Sequence, residues 1–266
     1  MKIIRFLDKQ QKEQLGTDYC DGSAELLDGN LYKELIPTGK RAVVHSLLAP
    51  VIPPNVFCIG LNYREHARET GSEIPRYPVI FLKPTTAIAD PNAAITLPKC
   101  CVHGPEVDFE AELAVVIGCA AKNVSEETAL DYVLGYTAAN DISARKWQKH
   151  AGGGQWVRGK GFDGFCPLGP ALVTADEISD PQKLSISTVL NGKTMQQSNT
   201  ADMIFSVAQL IGFLSQDTTL LPGTVILTGT PPGVGVARKP PLFLADGDLL
   251  SIEIECIGQL NNSITC

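Results

Sequence analysis

A chain of 266 residues has room for one large domain, or for a domain with a small appendage. With 44% hydrophobic and 19% charged residues it has the make-up of a chain with a sizeable core, which excludes disorder. A formal net charge of −7 offers no basic stripe for phosphates, and no apolar run is long enough to span a bilayer, so neither a nucleic-acid nor a membrane partner is expected. The first residues, Met1-Lys-Ile-Ile-Arg-Phe6, enter a strand-like pattern without a signal-peptide core or an Arg/Ser-rich transit segment, and a cytoplasmic protein is expected. The eight cysteines form no CxxC pair and suggest neither a zinc site nor a disulfide framework. Several, such as Cys58, Cys119 and Cys256, stand among apolar residues, and all eight read as reduced core residues.

In chain order, residues 1–50 read as a small β-rich N-terminal module, with strands at 2–7 and 42–48 around turns at Asp21-Gly22 and Asp28-Gly29. Pro50, Pro53 and Pro54 mark its boundary with the remainder, 51–266. Residues 55–60 form a short buried strand. Asn62 is placed to cap a helix from Tyr63 to about Thr70, closed by Gly71. On that helix His66 and Glu69 share a face, either as an ordinary surface pair or as a histidine oriented by a carboxylate for general-base work. Residues 78–84 are another strand, with Lys83 read as a snorkelling surface side chain. Residues 90–104 are loop with a strand fragment.

Residues 107–118 hold an almost wholly apolar run, the pattern of a strand buried on both faces, with Glu110 and Glu112 at its start. In a strand this spacing puts both carboxylates on one face, about 7 Å apart. A polar strand end facing water is the commoner reason for such a pair; a hard divalent cation is the sharper one. Residues 125–134 open like a capped amphipathic helix, with Ser125 as cap. Residues 135–141 are a strand entering a helical turn, where Asp141 is either an N-cap or a third carboxylate. Arg145 and Gln148 follow it on one helical face. A glycine-rich stretch from His150 suits a mobile loop and leads to Lys160. Strands follow at 167–173 and 184–190, a hairpin turn at Asn191-Gly192, and a helical period over 201–214. A strand then runs into the Gly/Pro loop at 222–236, which lacks the GK[ST] ending of a phosphate-binding loop, and a last strand covers 249–257. Strands outnumber scattered helices without βα alternation, which predicts an α+β fold on a large sheet.

Five spaced motifs together resemble the fumarylacetoacetate hydrolase superfamily, closest to its domain-containing 2 branch. They are Gly-Leu-Asn-Tyr-Arg-Glu-His66, Val-Asp-Phe-Glu-Ala-Glu112, Asn-Asp-Ile-Ser-Ala-Arg-Lys-Trp-Gln148, Gly-Lys160-Gly-Phe-Asp and Leu-Thr-Gly-Thr-Pro-Pro-Gly-Val-Gly235. The resemblance covers roughly residues 50–260 and implies a mixed β-sandwich or roll, a homodimer, and a Mg²⁺ or Mn²⁺ site. It makes Glu110, Glu112 and Asp141 the metal ligands, and His66 with Glu69 a base or water-activating dyad. Lys160 then acts beside the reacting oxygen, with Arg145, Gln148 and Thr230 on the substrate. The founding hydrolase has a further aspartate ligand with no clear counterpart here, which favours Mg²⁺ or Mn²⁺ over Ca²⁺.

A 2-oxo acid can chelate such an ion, and the charge of its enolate is then offset. The expectation is a metal-dependent enzyme on small enolisable 2-oxo acids. Hydrolysis of a C–C bond in acylpyruvates is its first form, and oxaloacetate tautomerisation or decarboxylation the alternative. A non-catalytic 2-oxo acid binding protein is the reading from another class.

Overall fold

The computed structural model describes residues 1–102, 104–151 and 153–266. The fold is α+β and mostly sheet. The main sheet runs, edge to edge, through Leu35–Val43, Ser23–Gly29, Glu13–Cys20, Lys2–Leu7, Cys166–Thr174, Val133–Asn140, Ala111–Ile117, Val225–Leu227, Val56–Gly60 and Val79–Lys83. The N-terminal strands join it through the antiparallel pairing of Lys2 with Val173. A second, five-stranded sheet orders Lys193–Asn199, Ser185–Leu190, Leu249–Ile254, Gly258–Thr265 and Ala94–Thr96.

The strand Ala111–Ile117 lies at the centre, and its apolar sequence follows from that position. Leu113, Val115 and Ile117 pack with Ile186, Ile252 and Ile254 of the second sheet and with Leu210 and Ile211. Ala114 and Val116 point the other way, into a core with Leu168, Val56 and Cys58. Alternate residues on opposite faces are the rule in a strand, and here both faces are covered.

Several local expectations give way to tertiary constraints. Residues 125–134 form only a 3₁₀ turn, Ala129–Tyr132, because the chain enters the strand Val133–Asn140 immediately afterwards and Tyr132 O accepts from Gly118 N at 2.8 Å. The helix expected over 201–214 is Val207–Leu214, started by a capping box between Ser206 and Gln209. The residues before it form a separate 3₁₀ turn, Thr200–Asp202, and a bend at Phe205, whose N–H donates to Asn62 Oδ1 (2.8 Å). Asn62 is therefore not a cap. The helix Arg64–Glu69 has Tyr63 at its N-cap, without a side-chain cap bond.

The strand expected over 42–48 is two, Leu35–Val43 and Ser46–Leu48. The hairpin is as expected, with Asn191 and Gly192 both at positive φ between paired strands. The cysteines are all free, but only Cys58 and Cys166 are buried. Cys119 lies just past the end of a strand and Cys256 in a turn at φ 65°, which puts both in solvent. His103 and Gly152, within the expected loop and the glycine-rich stretch, lie outside the described residues.

Candidate active site

Register builds the centre of the site. Glu112 pairs with Ala139 and Ala111 with Asn140, and one step further Asp141 N donates to Glu110 O at 2.9 Å. Asp141 thus stands opposite Glu110, on the same face as Glu112. Carboxylate oxygens of Glu110, Glu112 and Asp141 lie within 4.8 Å of one another, and all three residues are buried. Asp141 caps no helix, because the chain beyond it is the short strand Ser143–Ala144 and its side chain turns inward to two lysines.

Lys160 comes from the short helix Val157–Lys160 and is 2% exposed. Its Nζ donates to Glu110 Oε2 (2.7 Å), Asp141 Oδ2 (2.7 Å) and Ser143 Oγ (2.6 Å). Burial works against this ammonium, but Asp141 and Glu110 outweigh it and raise its pKa, so it is charged at neutral pH. The same contest holds at Glu110: burial raises the carboxyl, while Arg145 and Lys160 pull it below the usual carboxylate range. Glu112 makes no ion pair among the described residues, and the pull of Lys160 on it is outweighed. Burial, then the charges of Asp141 and Glu110, push its carboxyl well above the usual range.

Lys83 belongs to this centre and not to the surface. It is 3% exposed, and its Nζ lies 2.7 Å from Asp141 Oδ1. It also donates to the carbonyls of Phe165 (2.7 Å), Ile142 (3.1 Å) and Lys160. The strand Val79–Lys83 is at the edge of the main sheet, yet its last side chain turns in to Asp141. A lone lysine before a proline gives no sequence signal for this. Asp108 was also missed, although it completes an i, i+2, i+4 series of acids with Glu110 and Glu112 that would have singled it out.

The dyad lies across the cavity. His66 Nδ1 is 3.2 Å from Glu69 Oε2, leaving Nε2 as the ring nitrogen that can face the cavity. Glu69 is fixed in turn by Gly233 N, which donates to its Oε1 at 2.9 Å. A Cβ at Gly233 would collide with Met195 O, and φ there is +106°, so only glycine fits this close approach. Thr230 is held by Gln196, whose Nε2 donates to Thr230 Oγ1 (2.8 Å) and whose Oε1 accepts from Ala111 N (3.0 Å). Gln148 sits on a π-helical turn, Trp147–Ala151, and accepts from Arg145 Nη1 at 3.2 Å.

A cavity of about 200 Å³ opens onto this assembly, lined by His66, Glu110, Glu112 and Lys160 with Arg145, Gln148 and Thr230. Glu69 and Asp141 stand behind it, each bonded to a lining residue. All nine residues singled out from the sequence therefore converge. A wider groove of about 510 Å³ beside Tyr77 and Phe213 has no such convergence of acids. The donor set suits a hard divalent cation: three buried carboxylates, one of them with its pKa raised by burial and by the charges of the other two.

Comparison with known proteins bears on the same residues. Residues 55–265 match the family model described as fumarylacetoacetate (FAA) hydrolase C-terminal. The chain is 51% identical to "Oxaloacetate tautomerase fahd2, mitochondrial" of Xenopus laevis, over 99% of this chain and 90% of that protein. It is 48% identical to "Oxaloacetate tautomerase FAHD2A, mitochondrial" of Homo sapiens, over 86% and 72%. Among solved structures, a fumarylacetoacetate hydrolase from the psychrophile Exiguobacterium antarcticum aligns with a TM-score of 0.87 at 34% identity, over 100% and 99% of the two chains. A 5-carboxymethyl-2-hydroxymuconate delta-isomerase from Mycobacterium smegmatis aligns with a TM-score of 0.85 at 37% identity, again over 100% and 99%. The expectation of a cytoplasmic protein is overturned, since the vertebrate relatives are named as mitochondrial. The chain is an enzyme and belongs to the fumarylacetoacetate hydrolase family.

Proposed function

We propose that this protein interconverts the keto and enol forms of oxaloacetate, using Mg²⁺ or Mn²⁺ held by Glu110, Glu112 and Asp141. The observation that carries the reading is the 51% identity, over 99% of the chain, to a relative named an oxaloacetate tautomerase. Hydrolysis of acylpyruvates, the first expectation, has weaker support: the hydrolase name attaches to a structure at 34% identity, the tautomerase name to relatives at about half.

When bound, the cation supplies positive charge beside the 2-oxo oxygen and a chelating point for the adjoining carboxylate. His66 Nε2 takes a proton from C3, the C–H pair becomes the C2–C3 double bond, and the carbonyl π pair withdraws to O2. The ammonium of Lys160 offsets charge developing on O2, and Glu69 offsets the imidazolium. O2 then takes a proton from water, and the hydroxide left takes the imidazolium proton, which restores His66. In reverse, O2 releases its proton and His66 returns one to C3. Arg145, Gln148 and Thr230 contact the substrate. No bond between carbons breaks, and no nucleophilic water is needed.

Relatives' names also support a mitochondrial location as part of this proposal. We further propose a homodimer, and a boundary near residue 50 that leaves every site residue in 51–266. The test of the reaction is proton NMR of oxaloacetate in D₂O with Mg²⁺-loaded protein. Faster exchange at C3 without pyruvate is expected. Stoichiometric pyruvate from acetylpyruvate, with no effect on oxaloacetate exchange, would return the reading to hydrolysis.

A further inference from the structure

We propose that Asp108 is a positioning residue that keeps Arg145 from competing with the cation for Glu110. The proposal rests on reading Glu110, Glu112 and Asp141 as cation ligands. Asp108 is fully buried, and five donors converge on its carboxylate. Its Oδ1 accepts from Phe109 N (2.9 Å) and Gly235 N (2.7 Å). Its Oδ2 accepts from Val236 N (2.9 Å) and Arg145 Nε (2.9 Å), with Arg145 Nη2 2.8 Å away.

Arg145 is planar and its donors form a rigid fork, so two contacts to one carboxylate fix the plane of the whole group. In that plane Nη2 lies 2.7 Å from Glu110 Oε1 and Nη1 points to Gln148. The guanidinium is thus shared between two carboxylates. Remove the charge at 108 and its attraction falls on Glu110 alone, a carboxylate read here as a cation ligand. The loop shares this anchor. A Cβ at Gly235 would strike Asp108 Oδ1 and Leu242 O, so backbone and carboxylate meet there directly. The same loop donates from Gly229 N to Glu112 (2.7 Å) and from Gly233 N to Glu69. One stretch of backbone therefore sets the spacing between a cation ligand, the dyad and the anchor of Arg145.

The test is a double-mutant cycle on Mn²⁺ affinity, read by calorimetry, with wild type, Asp108→Asn, Arg145→Met and the double variant, each shown to be folded by its thermal midpoint. Asp108→Asn is expected to weaken Mn²⁺ binding about 10-fold or more, the usual scale for a group behind a metal ligand. In the Arg145→Met background the same change is expected to alter affinity less than about twofold. Turnover of oxaloacetate by Asp108→Asn is expected to regain roughly wild-type kcat at saturating Mn²⁺, with only the half-activating concentration raised. Equal losses in both backgrounds, no loss in either, or a kcat that saturating Mn²⁺ does not restore would overturn the proposal. Should Asp108→Asn not fold, Arg145→Met alone carries the test: removing the competing guanidinium is expected to raise Mn²⁺ affinity or leave it unchanged, and a lowered affinity would overturn the proposal. Wild-type protein that binds no Mn²⁺ would sink the cation reading itself; wild type that binds Mn²⁺ without acting on oxaloacetate would sink only the proposed reaction.

Discussion

At the scale of single residues, Glu112 and Glu110 titrate in opposite directions. Glu112, raised by burial and by its two acidic neighbours, holds its proton to higher pH than an ordinary carboxyl in the ion-free protein. A cation needs the carboxylate, so binding displaces that proton, and Mg²⁺ affinity is expected to rise with pH until it passes the raised value. Calorimetry in buffers of different ionisation enthalpy reads this release directly, and Glu112→Gln should abolish it. The stability of the ion-free protein follows the same shifts. The Glu112 contribution is present below the usual carboxylate range and is lost as pH rises through its raised pKa. Glu110, lowered by Arg145 and Lys160 against the effect of burial, contributes above the usual range and loses that contribution as pH falls.

Lys83 offers a second residue-level test. Lys83→Met leaves Asp141 with Lys160 alone and its Oδ1 without the ammonium, and is expected to cost about 1–3 kcal/mol in urea unfolding. A change within about 0.5 kcal/mol, the range for surface sites, would show that Asp141 does not depend on it. For His66→Ala, kcat is expected to fall about 100-fold or more with Mn²⁺ affinity unchanged, which steady-state kinetics and calorimetry separate. Unchanged turnover would remove the dyad from the reaction.

At the scale of elements, the loop from Gly229 to Val236 matters most. Three carboxylates accept from its backbone: Glu112, Glu69 and Asp108. Gly233→Ala would push the chain off Met195 O and loosen Glu69, so a kcat loss of about 10-fold is expected alongside destabilisation of about 1–3 kcal/mol. Wild-type kcat in a destabilised variant would separate the loop from the dyad. The sequence carried the alternation of Glu110 and Glu112, the dyad spacing and the hairpin, because each is local and set by a fixed period. It did not carry Lys83, and the i, i+2, i+4 acid series that marks Asp108 does not say what that residue holds. A charge at a strand end reads as surface until its tertiary neighbours are known: Lys83 meets Asp141, and Asp108 pairs with Ser143 in a two-stranded sheet. The helix expected over 125–134 failed for a related reason, since the next strand takes over at Val133 and only Ala129–Tyr132 closes into a 3₁₀ turn.

At the scale of the whole molecule, two sheets close over one central strand, and the site sits where that strand begins. The rigid sheet holds Glu112 and sets Asp141 opposite Glu110, while short helices and loops supply His66, Lys160 and Thr230 from around the rim. Similar structures carry the names of a hydrolase and an isomerase, so the fold alone leaves the fate of the enol open. The central claim is that this protein moves a proton and breaks no carbon–carbon bond. Its most direct test follows enol absorbance and pyruvate release in parallel, with oxaloacetate and Mn²⁺-loaded protein. Accelerated enol loss with pyruvate at the uncatalysed rate is the expected result; pyruvate appearing in step with enol loss would contradict the account.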